Sequence, residues 1–448
     1  MTDRLVVIGG DAGGMSAAAQ ARRLRPDLEI VAFERGEFTS YAACGLPYFV
    51  SDEVTDRDRL IARTPEAFRA QGIDVRTRHE VVAIDTDERT VEVRSLDGGD
   101  VTTEPYGELL LATGAVPVKP PLPGIDGPDV FDLRTIPDAD AVRAAIDHGA
   151  RRAVVVGGGY IGVEVAEAFS TRGLEMTLVE LADQPMLTLD ADMAELVTAA
   201  LEELGVDVRL GTAVKGFTHH DGHLTSVDTD GGPVPADIAV VGLGVRPNSA
   251  LAVDAGIPVG PSGGIVVDER LHTEVDGVWA AGDCVESRHR ITGAPVVIAL
   301  GTHANKQGRV AGSNIGGVAS RFGGVLGTAI TKVGPVEVGR TGLSEREASA
   351  AGLDAFAVTA RAAVRAHYYP GAEPITVKLV VERGSGRLLG GQIVGGEGAG
   401  KRIDVVATAL WNRMDVRDVA GMDLAYAPPF SPVWDPVLIA AGKAALQL

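Results

Sequence analysis

The sequence is short of cysteine, of positive charge and of long apolar runs, and each shortage excludes something. Two cysteines, Cys44 and Cys284, stand 240 positions apart in 448 residues. That is no disulfide framework, and it suits a reducing compartment such as the cytoplasm. Lysine and arginine number 41 against 61 acidic residues, for a net charge of -20. Such a surface does not attract nucleic acid or an anionic membrane face. No apolar run reaches the roughly 18 residues of a membrane span. Met1 leads directly into the apolar strand Leu5-Val6-Val7-Ile8, so no signal peptide is expected ahead of the fold. The length points to two to four domains.

Glycine is plentiful instead: 57 residues, gathered at the ends of apolar strands. Leu5–Ile8 runs into Gly9-Gly10-Asp11-Ala12-Gly13-Gly14, then an alanine-rich helix from Met15 to Leu24, then the strand Ile30–Phe33 ending at Glu34. Strand, glycine turn, helix, strand and acid form a dinucleotide-binding unit. Gly9 makes the tight turn and Gly14 lets helix and strand pack. The helix N-terminus offers N–H groups to a pyrophosphate, and Glu34 can accept from ribose hydroxyls. Asp11 departs from the pattern, because it occupies the middle glycine position.

The pattern returns complete in Gly157-Gly158-Gly159-Tyr160-Ile161-Gly162 after Ala153–Val156, with a helix to about Ser170 and a strand, Met176–Val179, before Glu180. An acid there accepts the 2′-hydroxyl of NAD and repels the 2′-phosphate of NADP. No lysine or arginine follows within Leu181 to Thr188, so NADH is expected over NADPH. Two units imply two dinucleotides. Between and after them, Leu109-Leu110-Leu111-Ala112-Thr113-Gly114 and Ile238 to Gly244 read as strands ending in small-residue turns suited to crossings between domains. Val278-Trp279-Ala280-Ala281-Gly282-Asp283 places Asp283 at the carboxyl edge of a sheet. From about Phe322 the character changes to strands (Thr328 to Val338, Ile375 to Glu382, Leu388 to Val394) and a helix from Ile403 to Arg413, an α+β domain suited to dimer contact. No metal site is expected.

Ser40-Tyr41-Ala42-Ala43-Cys44-Gly45-Leu46-Pro47-Tyr48-Phe49 lies six residues beyond Glu34. A lone thiol between two dinucleotide units suggests electrons passing from one cofactor through another to sulfur. Only the thiolate attacks a disulfide, and Gly45 and Pro47 suit a turn entering a helix, whose N-terminus would stabilise that thiolate. Cys284, after Gly-Asp on a packed strand end, reads as structural.

Together these residues resemble the pyridine nucleotide–disulfide oxidoreductases over essentially the whole chain. The position of the family's second, resolving cysteine is Phe49, so the likeness is to the single-cysteine branch. His367-Tyr368-Tyr369-Pro370-Gly371, Lys401-Arg402-Ile403-Asp404 and Tyr426-Ala427-Pro428-Pro429-Phe430 bring it nearest to the coenzyme A-disulfide reductases. The resemblance implies an α/β fold of two Rossmann-like domains plus a C-terminal α+β dimerisation domain. The expected divisions are 1–115 with 248–320 for FAD, 116–247 for NAD(P)H and 321–448 for the homodimer contact.

It also implies that FAD is held by Gly9, Gly13, Gly14, Glu34, Arg35, Ser40, Thr113, Gly114 and Asp283. NADH is held by Gly157, Gly159, Tyr160, Ile161, Gly162, Glu164, Glu180 and Gly244, with Tyr160 swinging aside to admit the nicotinamide. The disulfide substrate meets Ser16, Gln20, Arg23, Ser40 and Asn305, with Arg22, Arg23 and Arg25 supplying positive charge. Cys44 is the implied nucleophile, forming a mixed disulfide with coenzyme A, and Tyr368 and Tyr426 the proton donors acting across the dimer interface. The alternatives are a peroxidase or oxidase working through Cys44 sulfenic acid, a polysulfide or persulfide reductase, a flavin reductase feeding a partner protein, and a redox sensor. Ala12 stands where the peroxidases and oxidases carry a histidine, which argues against peroxide.

Overall fold

A computed structural model describes residues 3–448. The expected entry of the chain from Met1 lies outside them. The first apolar run forms the strand Arg4–Ile8, wholly buried. It is the centre of a parallel sheet ordered Val278–Ala280, Glu108–Leu111, Arg4–Ile8, Glu29–Glu34, Ile73–Thr77. Strands buried on both faces read as continuous apolar runs, which is why four of this sheet's five strands are legible in the sequence; the partly exposed Ile73–Thr77 is not. Its outermost strand, Val278–Ala280, comes from far along the chain and brings Asp283 beside the first glycine turn.

A second parallel sheet repeats the plan in the order Asp207–Arg209, Glu175–Val179, Arg152–Val156, Ile238–Val241, Val130–Phe131. Ala115–Pro117 and Val245–Pro247 pair antiparallel where the chain crosses between the two sheets. Two small antiparallel sheets, within His79–Pro105 and Val214–Pro235, were not anticipated. The C-terminal region is a five-stranded antiparallel sheet ordered Ala329–Val333, Val336–Gly342, Leu388–Gly395, Pro374–Glu382, Ala355–Ala363. The single strand expected from Thr328 to Val338 is thus two, turning at Gly334 (φ 54°). The helices Ile403–Trp411 and Pro436–Ala445 cover that sheet.

One apolar core joins these parts around the thiol. The short helix Leu46–Val50 packs Leu46, Phe49 and Val50 against the helices Ile136–Asp147 and Tyr160–Thr171, and the same cluster reaches Val333 and Val338. The turn bearing Cys44 is therefore anchored to the second dinucleotide unit and to the C-terminal sheet, although its chain neighbours belong to the first. A polar junction adds to this. Lys378 is only 5% exposed and meets Asp190, Asp192 and Glu345 at 3.3, 2.7 and 2.5 Å, while Gln392 bonds the carboxylate of Asp190 at 2.6 Å.

Candidate active site

The first glycine turn is built as its residues require. Gly9 has φ 109°, and a Cβ there would lie 2.2 Å from the carbonyl oxygen of Ala112. At Gly14 a Cβ would meet the oxygen of Gly9 at 2.0 Å. The helix begins at Ala12, three residues earlier than expected, with Asp11 as its N-cap. Glu34 accepts from the backbone N–H of Gly10 and of Gly36, both at 2.7 Å.

These groups open onto a cavity of about 480 Å³ whose wall includes Gly9, Gly13, Glu34, Arg35, Thr113, Gly114 and Asp283. Seven of the nine residues expected to hold FAD therefore share one space. Gly14 packs behind it, and Ser40 lines a different cavity. Thr113 and Asn248 bond each other across the crossing, Oγ1 to carbonyl at 2.6 Å. Sequence reasoning missed Arg134, which reaches Asp283 at 3.2 Å and lines the same space. A glycine cradle at a helix start, a cation and a ribose-type acid fit a pyrophosphate-linked dinucleotide.

The second turn has the same construction. Gly157 (φ 103°) and Gly162 are held to glycine by contacts of 2.6 and 1.8 Å that a Cβ would make. At Gly159 a Cβ would meet nothing within 4 Å, so that face lies open to a ligand. The helix Tyr160–Thr171 follows. Glu180 accepts from the N–H of Gly158 at 2.6 Å and of Ala182 at 2.8 Å. Ile161 lies in the first turn of the same helix, and Gly244 (φ 89°) immediately precedes the crossing strand Val245–Pro247. Glu164, expected at the nicotinamide, accepts a hydrogen bond at 2.8 Å from Thr331 of the C-terminal sheet, and burial pushes its carboxyl up.

Cys44 is exposed, in a tight turn Ala43–Gly45 just before the helix Leu46–Val50. The expected lowering of its pKa by a helix N-terminus is not found. The helix has five residues, too few for a sizeable dipole. The crowding of the thiol by packed atoms, then the carboxylates of Glu164, Asp283 and Asp11, push it up, against Arg134, which lowers it. Ser40, at the entry to the turn, adopts φ 46° and donates its N–H to the oxygen of Gly10 at 3.0 Å. The Cys44 turn is thereby tied to the first glycine turn. Cys284 is buried with its sulfur against the carbonyl of Ala281, the structural role expected of it.

A second cavity, about 430 Å³, is lined by Ser16, Gln20, Arg23, Ser40 and Asn305, all five residues expected at the substrate. Ser16 donates to Asn305 at 2.8 Å, and Gln20 donates to Ser313 at 3.0 Å. The side-chain oxygen of Gln20 is buried without a partner. Arg23, Arg63, Lys306 and Arg309 surround the space, and among the described residues none of the four pairs with a carboxylate. Arg22 and Arg25 do not contribute. Arg22 bonds the carbonyls of Pro26 and Gly72, and Arg25 pairs with Asp3. Lys306 and Arg309, on the helix Gly301–Ile315, take their place; no motif in the sequence marks them.

Tyr368 and Tyr426 are 66% and 47% exposed and line neither cavity. The neighbouring side chain of Tyr426 raises the pKa of Tyr368. Phe430 and Trp434, which follow Tyr426 in the sequence, are exposed as well.

Glycine turns, acids, thiol and crossing strands together define a flavin-type pyridine nucleotide oxidoreductase. The chain belongs to the pyridine nucleotide-disulphide oxidoreductase family, whose model matches residues 3–308, and the dimerisation-domain model of that family matches 328–436. It is 39% identical over 444 residues to an NAD(P)H coenzyme A polysulfide/persulfide reductase of Pyrococcus horikoshii, covering 98% of each chain. Its structure is similar to that of an NAD-dependent persulfide reductase from A. fulgidus, with a TM-score of 0.97 and 40% identity over 99% of this chain and 83% of that one. It is also similar to reduced Bacillus anthracis CoADR-RHD, with a TM-score of 0.95 and 37% identity over 99% and 80% of the two chains.

Proposed function

We propose that the protein is an FAD-dependent NADH:disulfide reductase that acts on coenzyme A disulfide through Cys44. The observation that carries this reading is the second cavity. In a chain of net charge -20, four cations without carboxylate partners among the described residues surround one space whose lining includes Ser40, four residues before the thiol. Phosphates are the ligands that such a cluster attracts, and the free oxygen of Gln20 suits an amide N–H of a pantetheine arm.

Gly9, Gly13, Glu34, Arg35, Thr113, Gly114, Arg134 and Asp283 would hold FAD, and the turn from Gly157 to Gly162 with Glu180 would hold NADH. FAD, when bound, carries two electrons between NADH and sulfur. Cys44 attacks one sulfur of the substrate as a thiolate and keeps half of it as a mixed disulfide, releasing one thiol. Tyr426 or Tyr368, reaching across the interface of a homodimer, gives that thiol its proton. Reduction of the mixed disulfide frees the second thiol, so NADH, a proton and one disulfide become NAD and two thiols. Tyr160 screens the nicotinamide pocket until NADH enters. The residue divisions are those given above, and the thiol chemistry suits the cytoplasm.

A second reading, reduction of a coenzyme A persulfide or polysulfide, is favoured by the names of the Pyrococcus horikoshii and A. fulgidus proteins. It uses the same thiol and the same cations. Mass spectrometry after incubation with coenzyme A disulfide tests what the two readings share. An adduct of one coenzyme A on Cys44, removed by NADH and missing from Cys44→Ser, is expected. Failure of wild-type protein to form it would overturn both.

A further inference from the structure

Behind the thiol, three regions of the chain meet in a cluster of ionisable groups, of which only Glu164 is expected at a cofactor site. The helix Tyr160–Thr171 contributes Glu164 and Glu167, one turn apart. The strand Ala329–Val333 of the C-terminal sheet contributes Thr331 and Lys332. The segment following Cys44 contributes Tyr48 and Glu53. Lys332 Nζ lies 2.5 Å from Glu167 and 3.5 Å from Glu53, and 5.6 Å from the centre of the Tyr48 ring. Its neighbour Thr331 bonds Glu164 at 2.8 Å. Glu167 is buried, so its charge requires a partner. Tyr48 lies four positions beyond Cys44, one turn further along the chain.

We propose that Lys332 is a positioning residue for Cys44. By pairing with Glu167 and Glu53 it clamps the thiol-bearing turn to the helix of the nicotinamide site, and it offsets the negative charge behind the thiol.

The groups facing Cys44 are Glu164 from that helix, Asp283 from the strand end, Asp11 from the glycine turn and, opposing them, Arg134. Those facing Lys332 are Glu167, Glu53 and Tyr48, and its charge also acts on Glu164, lowering that carboxyl against the burial that raises it. Removing the lysine charge makes this region more negative by up to one unit. Proton uptake by Glu164 can at most cancel that change, so the thiolate is never favoured by the loss. Removing the charge of Glu167 acts in the opposite direction.

The inference rests on Cys44 as the reacting thiol but not on which disulfide it meets. The test is the rate of alkylation of Cys44 by iodoacetamide, a neutral reagent, in the NADH-reduced, FAD-containing protein at pH 7.5. Lys332→Met is expected to slow it about threefold or more, as one unit charge does across a partly buried site. Lys332→Arg should restore it, and Glu167→Gln should speed it. Equal rates in all four proteins would overturn the proposal. So would a shift of Lys332→Met and Glu167→Gln in the same direction, which marks loosened packing. If Lys332→Met fails to fold, Glu167→Gln with Lys332→Arg decides: an unchanged or slower Glu167→Gln overturns it. Turnover of coenzyme A disulfide by the wild type is measured separately, so failure of the substrate reading does not touch this result.

Discussion

Glu34 and Glu180 occupy the same position in two separate units and make the same bonds. Each carboxylate accepts from the backbone N–H of the second residue of its glycine turn, Gly10 or Gly158, and from the N–H two positions after the acid itself, Gly36 or Ala182. The acids are therefore fixed before any nucleotide arrives, which lowers the ordering cost of binding. Each retains lone pairs for a ribose, since an ionised carboxylate has about four acceptor sites.

Glu180 sets the choice of nucleotide. A fixed carboxylate accepts from a 2′-hydroxyl and repels a 2′-phosphate. Hydrogen bonds to charged groups contribute about 1.5–3 kcal/mol, so Glu180→Ala should lower kcat/KM for NADH about tenfold or more. The NADH:NADPH preference should fall with it. Steady-state rates with both nucleotides check this.

The cations of the second cavity should discriminate by phosphate. Replacing Lys306 and Arg309 together by alanine should raise KM for coenzyme A disulfide about tenfold or more, at about 1.5 kcal/mol or more for a charge-assisted contact. KM for a small disulfide without phosphate should stay within about twofold.

The thiol titrates late. The packed atoms crowding the thiol of this exposed residue, and then Glu164, hold the pKa of Cys44 above its ordinary value, so the reactive thiolate appears only as pH rises past that value. Alkylation should be slow at neutral pH and climb through the alkaline range, and Glu164→Gln should move the climb to lower pH. Cys44→Ser should keep FAD and its reduction by NADH but lose disulfide turnover.

Asp11 costs the fold stability at neutral pH. Burial and then the charge of Glu34 push its carboxyl up to about 6, from 3.8. Between those values the folded state binds more protons than the unfolded state, so stability falls as pH rises from about 4 to about 6 and stays reduced above. The cost is on the order of 2–3 kcal/mol. Asp11→Asn should therefore raise Tm at pH 8, with the difference vanishing near pH 4. Thermal melts across pH 4–8 check the sign.

The sequence revealed what depends on local rules. Gly9 and Gly157 are legible because any other residue would collide with a neighbouring backbone. Glu34 and Glu180 are legible because a strand end fixes them near those turns. Ser16, Gln20, Arg23, Ser40 and Asn305 came from the family resemblance and meet in one cavity. Arg134, Lys306, Arg309 and Lys332 were not seen, because each acts on a group distant in sequence and carries no motif. The thiolate expectation failed for the same reason. Gly45 and Pro47 did predict a turn into a helix, but the charges that decide the pKa come from Glu164, Asp283 and Asp11, on three other segments.

The most direct test is anaerobic NADH oxidation by the FAD-loaded protein, with coenzyme A disulfide and with small disulfides lacking phosphate in parallel. Rapid turnover with coenzyme A disulfide and slow turnover with the others is the predicted result. No turnover with any disulfide, followed by rapid NADH consumption once air or peroxide is admitted, would contradict the account and leave Tyr368 and Tyr426 without their proposed role.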